Sequence, residues 1–219
     1  MDTYFISAVL DAVLVSAAYY ISQYFFDEKY HLNLNRSNKW ITDNSVIVIG
    51  VLEFTTTLII GRLRLCELSI TKTGMTLLLF YGMSVLSVID LKKKMIPNKV
   101  LLILLLLWVA IISIVLIWQT TVGIEMLCSS LVGGAIGGII FLLCYLITKG
   151  QLGAGDVKLV FVMGLYLTGE RIIGAILYGT IICCVYSVIL LIRKKITKND
   201  GIPMTPFLYL GTIITFLIL

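Results

Sequence analysis

The sequence predicts an all-α polytopic membrane protein with about eight transmembrane helices. Of its 219 residues, 59% are hydrophobic and only 13% charged, and the mean hydropathy is +1.05, whereas soluble domains carry roughly 25% charged residues. The apolar residues fall into continuous runs on the scale of the roughly 20 residues that a spanning helix needs. The runs do not alternate in polarity, so they read as helices and not as barrel strands.

Taken in order, the first run covers about Tyr4 to Phe26, and a polar stretch from Asp27 to Asp43 separates it from a second, about Ser45 to Gly61. The N-terminal Met1-Asp2-Thr3 lacks the basic region of a secretory signal, so the first run is expected to stay as a permanent span. A basic segment, Arg62 to Thr73, leads into a third run that closes at Asp90. The fourth is about Lys99 to Trp118, the fifth about Ile124 to Ile147, the sixth Val157 to Leu167, the seventh about Ile172 to Ile192 and the eighth Phe207 to Leu219. This divides the chain into an N-terminal pair of helices, 1–73, with the loop 27–43, and a unit of six helices, 74–219.

The basic residues set an orientation. If the loops 27–43, 90–98, 149–158 and 193–203 share one side, that side holds thirteen of the seventeen Lys and Arg, with Lys99 at its edge. The positive-inside rule makes it cytoplasmic and puts both chain ends outside. The net charge of +5 is thereby explained by topology, and nucleic acid is not expected as a partner. Five cysteines without a C-x-x-C pair indicate neither a zinc site nor a disulfide framework; no metal and no cofactor are expected.

Two acids stand out on the predicted cytoplasmic side. Asp90 ends an apolar run and is followed by Leu91-Lys92-Lys93-Lys94-Met95-Ile96-Pro97-Asn98; Asp156 lies in Gly153-Ala154-Gly155-Asp156-Val157-Lys158-Leu159. Two carboxyls at the mouths of membrane spans are costly to ionise together, so a shared proton is expected, as in aspartyl proteases. The glycines allow close backbone approach, and Asp156 sits where a helix N-cap belongs. Read blandly, the first acid is a helix-end residue in exposed ion pairs and the second only a cap. Against that, the sixth run has about eleven residues and cannot cross a core of roughly 30 Å at about 1.5 Å per residue. Asp156 is therefore expected near a water-filled recess.

Together these two motifs resemble the type IV prepilin leader peptidases, of the GxGD aspartyl proteases. Pro203-Met204-Thr205-Pro206-Phe207-Leu208, followed by Gly211, is similar to the proline-rich start of that family's last span. The resemblance covers roughly residues 75 to 219. It implies a six-helix peptidase core with Asp90 and Asp156 as the catalytic pair, supported by Gly153, Gly155, Lys158, Pro97, Asn98, Pro203 and Pro206. It also implies substrates: pilin-like precursors cut at the cytoplasmic edge of the cell membrane, after a short basic leader and before a hydrophobic helix. Many bacterial members carry two C-x-x-C pairs after the first span and also N-methylate the new terminus. Here that position holds only 27–43, so peptidase activity is expected and methyltransferase activity is not. Met204-Thr205 replaces the more usual aromatic and glycine.

Competing readings are a presenilin-like or signal-peptide-peptidase-like protease that cuts within a membrane helix, and a non-enzymatic scaffold or transporter whose acids relay protons. Against the first, Ile89-Asp90 is followed directly by lysines, favouring a site at the surface. Gly133, Gly134, Gly137 and Gly138 would let another helix pack backbone to backbone, within the chain or as a homodimer through the Gly133/Gly137 face. Asp11 and Glu53, inside the first two spans, suit a hydrogen-bonded pair or part of a substrate groove.

Overall fold

A computed structural model of the protein describes residues 70–149, 152–193 and 201–218. The readings of the first two spans, the loop 27–43, Asp11 and Glu53 lie outside the described residues. Five helices follow one another: α1 (Ile70–Lys93), α2 (Asn98–Trp118), α3 (Thr120–Ile147), α4 (Ala154–Ile192) and α5 (Thr205–Ile218). All regular structure among the described residues is helical, and α1 to α4 contain stretches long and apolar enough to cross a membrane. The sixth and seventh of the runs read from 74–219 are the two limbs of α4, which follow one another directly across a non-helical break at Thr168.

The chain's punctuation sets the ends of the helices. Lys94 takes a left-handed conformation (φ 50°) and closes α1, and its amide still bonds to the Asp90 carbonyl at 2.8 Å. Pro97, which lacks an N–H and favours extended backbone, caps α2 at φ −72°, ψ 121°. A single residue, Gln119, separates α2 from α3. Gly123 makes so tight a corner feasible, because a Cβ there would lie 2.8 Å from Leu116 Cα.

Helix α4 doubles back. A Cβ on Gly137 of α3 would meet both Val160 (3.0 Å) and Ile172 (3.1 Å), although in a straight helix those two residues would stand about 18 Å apart along the axis. The reversal falls at Thr168, whose φ of 64° and ψ of 177° interrupt the helix. A β-branched residue at positive φ is strained. Thr168→Gly should therefore raise thermal stability in detergent, by roughly 1 kcal/mol; a lower melting temperature would show that the threonine side chain contributes more than its backbone costs.

Two reciprocal bonds hold the first limb of α4 to α2. Trp108 Nε1 donates to the Leu165 carbonyl at 3.1 Å, one of the last carbonyls before the break and hence short of helical donors. Tyr166 Oη donates to the Leu104 carbonyl at 2.7 Å. The core lies where α1, both limbs of α4 and α5 meet, around Met83, Leu86, Leu159, Met163, Ile172 and Leu208, all fully or almost fully buried. Outward faces of α2 and α3 present Leu102, Ile103, Leu106, Leu131 and Leu143, an apolar surface suited to lipid.

The glycines of α3 face inward. Gly133 touches the Gly164 carbonyl, and a Cβ on it would lie 2.7 Å from the Thr168 carbonyl carbon. Gly133, Gly134 and Gly137 are buried. This corrects the dimer reading of the Gly133/Gly137 face: the chain's own α4 occupies it, because small residues let these two backbones approach more closely than larger ones would.

Candidate active site

Three helix ends line one cavity, the C-terminal end of α1 and the N-terminal ends of α2 and α4, and the start of α5 bonds to one of its acids. The cavity volume is about 350 Å³, and Asp90, Ile96, Asn98, Gly153, Asp156 and Lys158 are among the residues that line it. The two acids thus share one space, close enough for the charge of Asp90 to act on Asp156.

Asp90 is only 5% exposed, so its carboxyl needs donors from the protein. One comes from the first residue of α5: the Thr205 amide donates to Asp90 Oδ2 at 3.0 Å. That amide is one of the helix-start N–H groups that have no partner within their own helix, and the α5 dipole favours negative charge at the same point. Asp90 ends one helix and caps another.

Asp156 is also held at a helix start, but not as the sequence suggested. Gly153 is the N-cap of α4, at φ −66° and ψ 132°, and Asp156 falls three residues later, in the first turn. Its amide donates to the Gly153 carbonyl at 3.0 Å, while its carboxylate accepts from the Gly153 amide. This is the reach-back half of a capping box. The N-cap assignment for Asp156 is corrected accordingly: the turn needs two small residues before the acid, and the helix starts at the first of them.

The supporting residues divide into groups. Gly155 faces Ile96, where a Cβ would sit 3.1 Å from Ile96 Cβ, so the absence of a side chain lets the α1–α2 connection close over α4. Lys158 Nζ donates to Asn98 Oδ1 at 3.2 Å, joining the two motifs at the rim. Pro97 starts α2, and Pro203 and Pro206 flank the start of α5. These prolines shape the helix starts that present the amides. Thr205, between the latter two prolines, is the contributor that sequence reasoning did not single out. Its contact with Asp90 is made by a backbone amide, which leaves no side-chain signature.

Among the described residues no group of three or more His, Cys, Asp or Glu stands together to hold a metal. A second space, about 600 Å³, runs outward between α2, α3 and the first limb of α4. Leu101, Leu105, Leu142 and Phe161 line it, and it shares Asn98 and Lys158 with the acid cavity.

The fold and site define a class: among the described residues, an all-helical protein whose apolar helices are long enough to cross a membrane, with two carboxyls lining one cavity at the helix ends. Residues 77–188, just over half of the chain, match the type IV leader peptidase family. The chain belongs to that family. It is similar to the prepilin leader peptidase/N-methyltransferase of Bacillus subtilis (strain 168), 26% identical over 135 residues, which is 61% of this chain and 51% of that protein. The chain thus spans about half the length of this curated relative. No solved structure matches it.

Proposed function

We propose that this protein is an aspartic endopeptidase that removes the short basic leader from type IV prepilin-like precursors at the cytoplasmic face of the cell membrane. The observation that carries the proposal is that Asp90 and Asp156, from separate helices, line one cavity, each bonded to a helix-start amide. Two carboxylates so close do not both ionise readily, and one proton between them supplies a base and an acid together.

In the proposed reaction the ionised carboxylate takes a proton from water, and the water oxygen adds to the scissile carbonyl carbon. The protonated carboxyl donates to the carbonyl oxygen as it gains charge. As the tetrahedral intermediate collapses, the C–N bond breaks, the leaving amine takes up a proton and the shared proton of the pair is restored. The titration belongs to the pair.

The apolar groove supports a substrate with a hydrophobic helix beside the cut. It shares Asn98 and Lys158 with the acid cavity, so the two regions of such a precursor would meet neighbouring compartments of matching polarity. The excess of basic residues on the predicted side of the two acids supports the cytoplasmic assignment. Of the two activities in the relative's name, we propose only the peptidase, because no C-x-x-C pair occurs in this sequence.

Co-expression with a pilin-like precursor tests the reading: a shortened product carrying a new N-terminus just before the hydrophobic helix is expected, and a cut only within that helix would overturn it. Filling the groove tests its role. Leu105→Trp is expected to raise KM for the precursor roughly tenfold, about 1.4 kcal/mol, with kcat little changed. An unaltered KM would remove the groove from the substrate path.

A further inference from the structure

One polar group beside the acids has no partner. Thr205 is fully buried, and its hydroxyl has no hydrogen-bond partner among the described residues. A buried hydroxyl left unsatisfied is destabilising, and replacing it with a methyl of the same shape would remove that cost. The orphaned group belongs to the residue whose amide already holds Asp90 Oδ2 at 3.0 Å. Three covalent bonds separate that amide nitrogen from Oγ1, so the hydroxyl is confined to the immediate surroundings of the Asp90 carboxyl.

We propose that Thr205 is a positioning residue that holds Asp90 ionised, as the base of the pair. With its amide bonded to Oδ2, rotation about the Cα–Cβ bond brings the hydroxyl proton to the carboxylate during turnover. The threonine keeps its own proton throughout; the water's proton goes to Asp90. A hydrogen bond to the charged form favours that form, and Asp156, held by one backbone amide, is left as the proton-bearing partner. Among the described residues, the other charged or titratable groups at the site are Lys94 at the end of α1, Asp156 and Lys158 on the first limb of α4, and Cys183 on its returning limb, within electrostatic reach of Asp156. The lysines bear on both acids, whereas the Thr205 hydroxyl belongs to the Asp90 side alone.

This inference rests on the peptidase reading and deepens it by distinguishing the roles of the two acids. The test compares the full-length protein with Thr205→Val and Thr205→Ser, measuring kcat and KM on a pilin-like precursor together with thermal unfolding in the same detergent. Valine keeps the shape and loses the hydroxyl. Its kcat is expected to fall about tenfold or more, the worth of a hydrogen bond to a charged group, with KM unchanged and the melting temperature equal or higher. Serine is expected to recover most of kcat. A role in packing alone would lower stability and activity together, so a lower melting temperature in the valine variant overturns the assignment, as does a kcat close to wild type or a serine variant as slow as valine. Failure of the wild-type protein to cut any such precursor would instead overturn the peptidase reading itself.

Discussion

Asparagine in place of Asp90 or of Asp156 is expected to leave the precursor uncut, with the rate reduced at least about a hundredfold, the lower range for losing a general acid or base. The two substitutions should be equally severe, and the double variant should be no worse than either single one, because residues that act as a unit do not contribute additively. Asparagine keeps the size of the carboxyl and can still accept the Thr205 or Gly153 amide, so fold and stability should be nearly retained. Leader removal followed on a gel, with melting temperature as a control, separates lost chemistry from lost structure. Substantial cleavage by either variant would remove the acid pair from the mechanism and favour the reading in which the carboxyls serve only as helix caps.

The second large effect concerns a contact far from the acids. Gly133→Ala and Gly164→Ala should each cost about 3 kcal/mol or more, at or above the upper range for overpacking, and abolish activity through the fold. A methyl on Gly164 would lie 2.7 Å from Gly134 Cα, and one on Gly133 would lie 2.8 Å from Thr168 Cα. These obstacles are backbone atoms and cannot rotate away. The α3–α4 interface would have to open, moving the limb that carries Asp156. Two controls sharpen the test. At Gly138 the nearest atom to a new Cβ is Phe161 Cδ2, at 3.2 Å, a side-chain atom able to shift. At Gly74 nothing lies within 4 Å, and alanine should stabilise α1 by up to about 1 kcal/mol. Thermal unfolding in detergent ranks all four; a Gly133→Ala protein as stable as Gly74→Ala would refute the close-packing account.

Much of this arrangement could be read from the residues. Polarity breaks at Gln119-Thr120-Thr121 and at Lys149-Gly150-Gln151 mark the ends of runs, and the described helices change there. The shortness of the run from Val157 to Leu167 signalled a segment unable to cross by itself, and α4 reverses directly after it. What periodicity does not carry is the manner of the reversal. A threonine at positive φ has no turn signature of its own, and its backbone lies close against Gly133 of a separate helix. The site divides along the same line. Asp90 and Asp156 are legible because acids at the ends of apolar runs are costly and therefore conspicuous. The Lys158–Asn98 bond and the Thr205 amide depend on how separate helix starts converge, information held in tertiary packing and not in any local pattern.

The bond from Thr205 to Asp90 has a consequence for biosynthesis. It joins positions 115 residues apart, so while the chain is being made, both acids are in place before the segment that supplies the donor has left the ribosome. A partly translated molecule therefore carries its carboxyls without the amide that steadies one of them until α5 docks. Under the proposed function, order of synthesis keeps the acid pair incomplete until the start of α5 is in place.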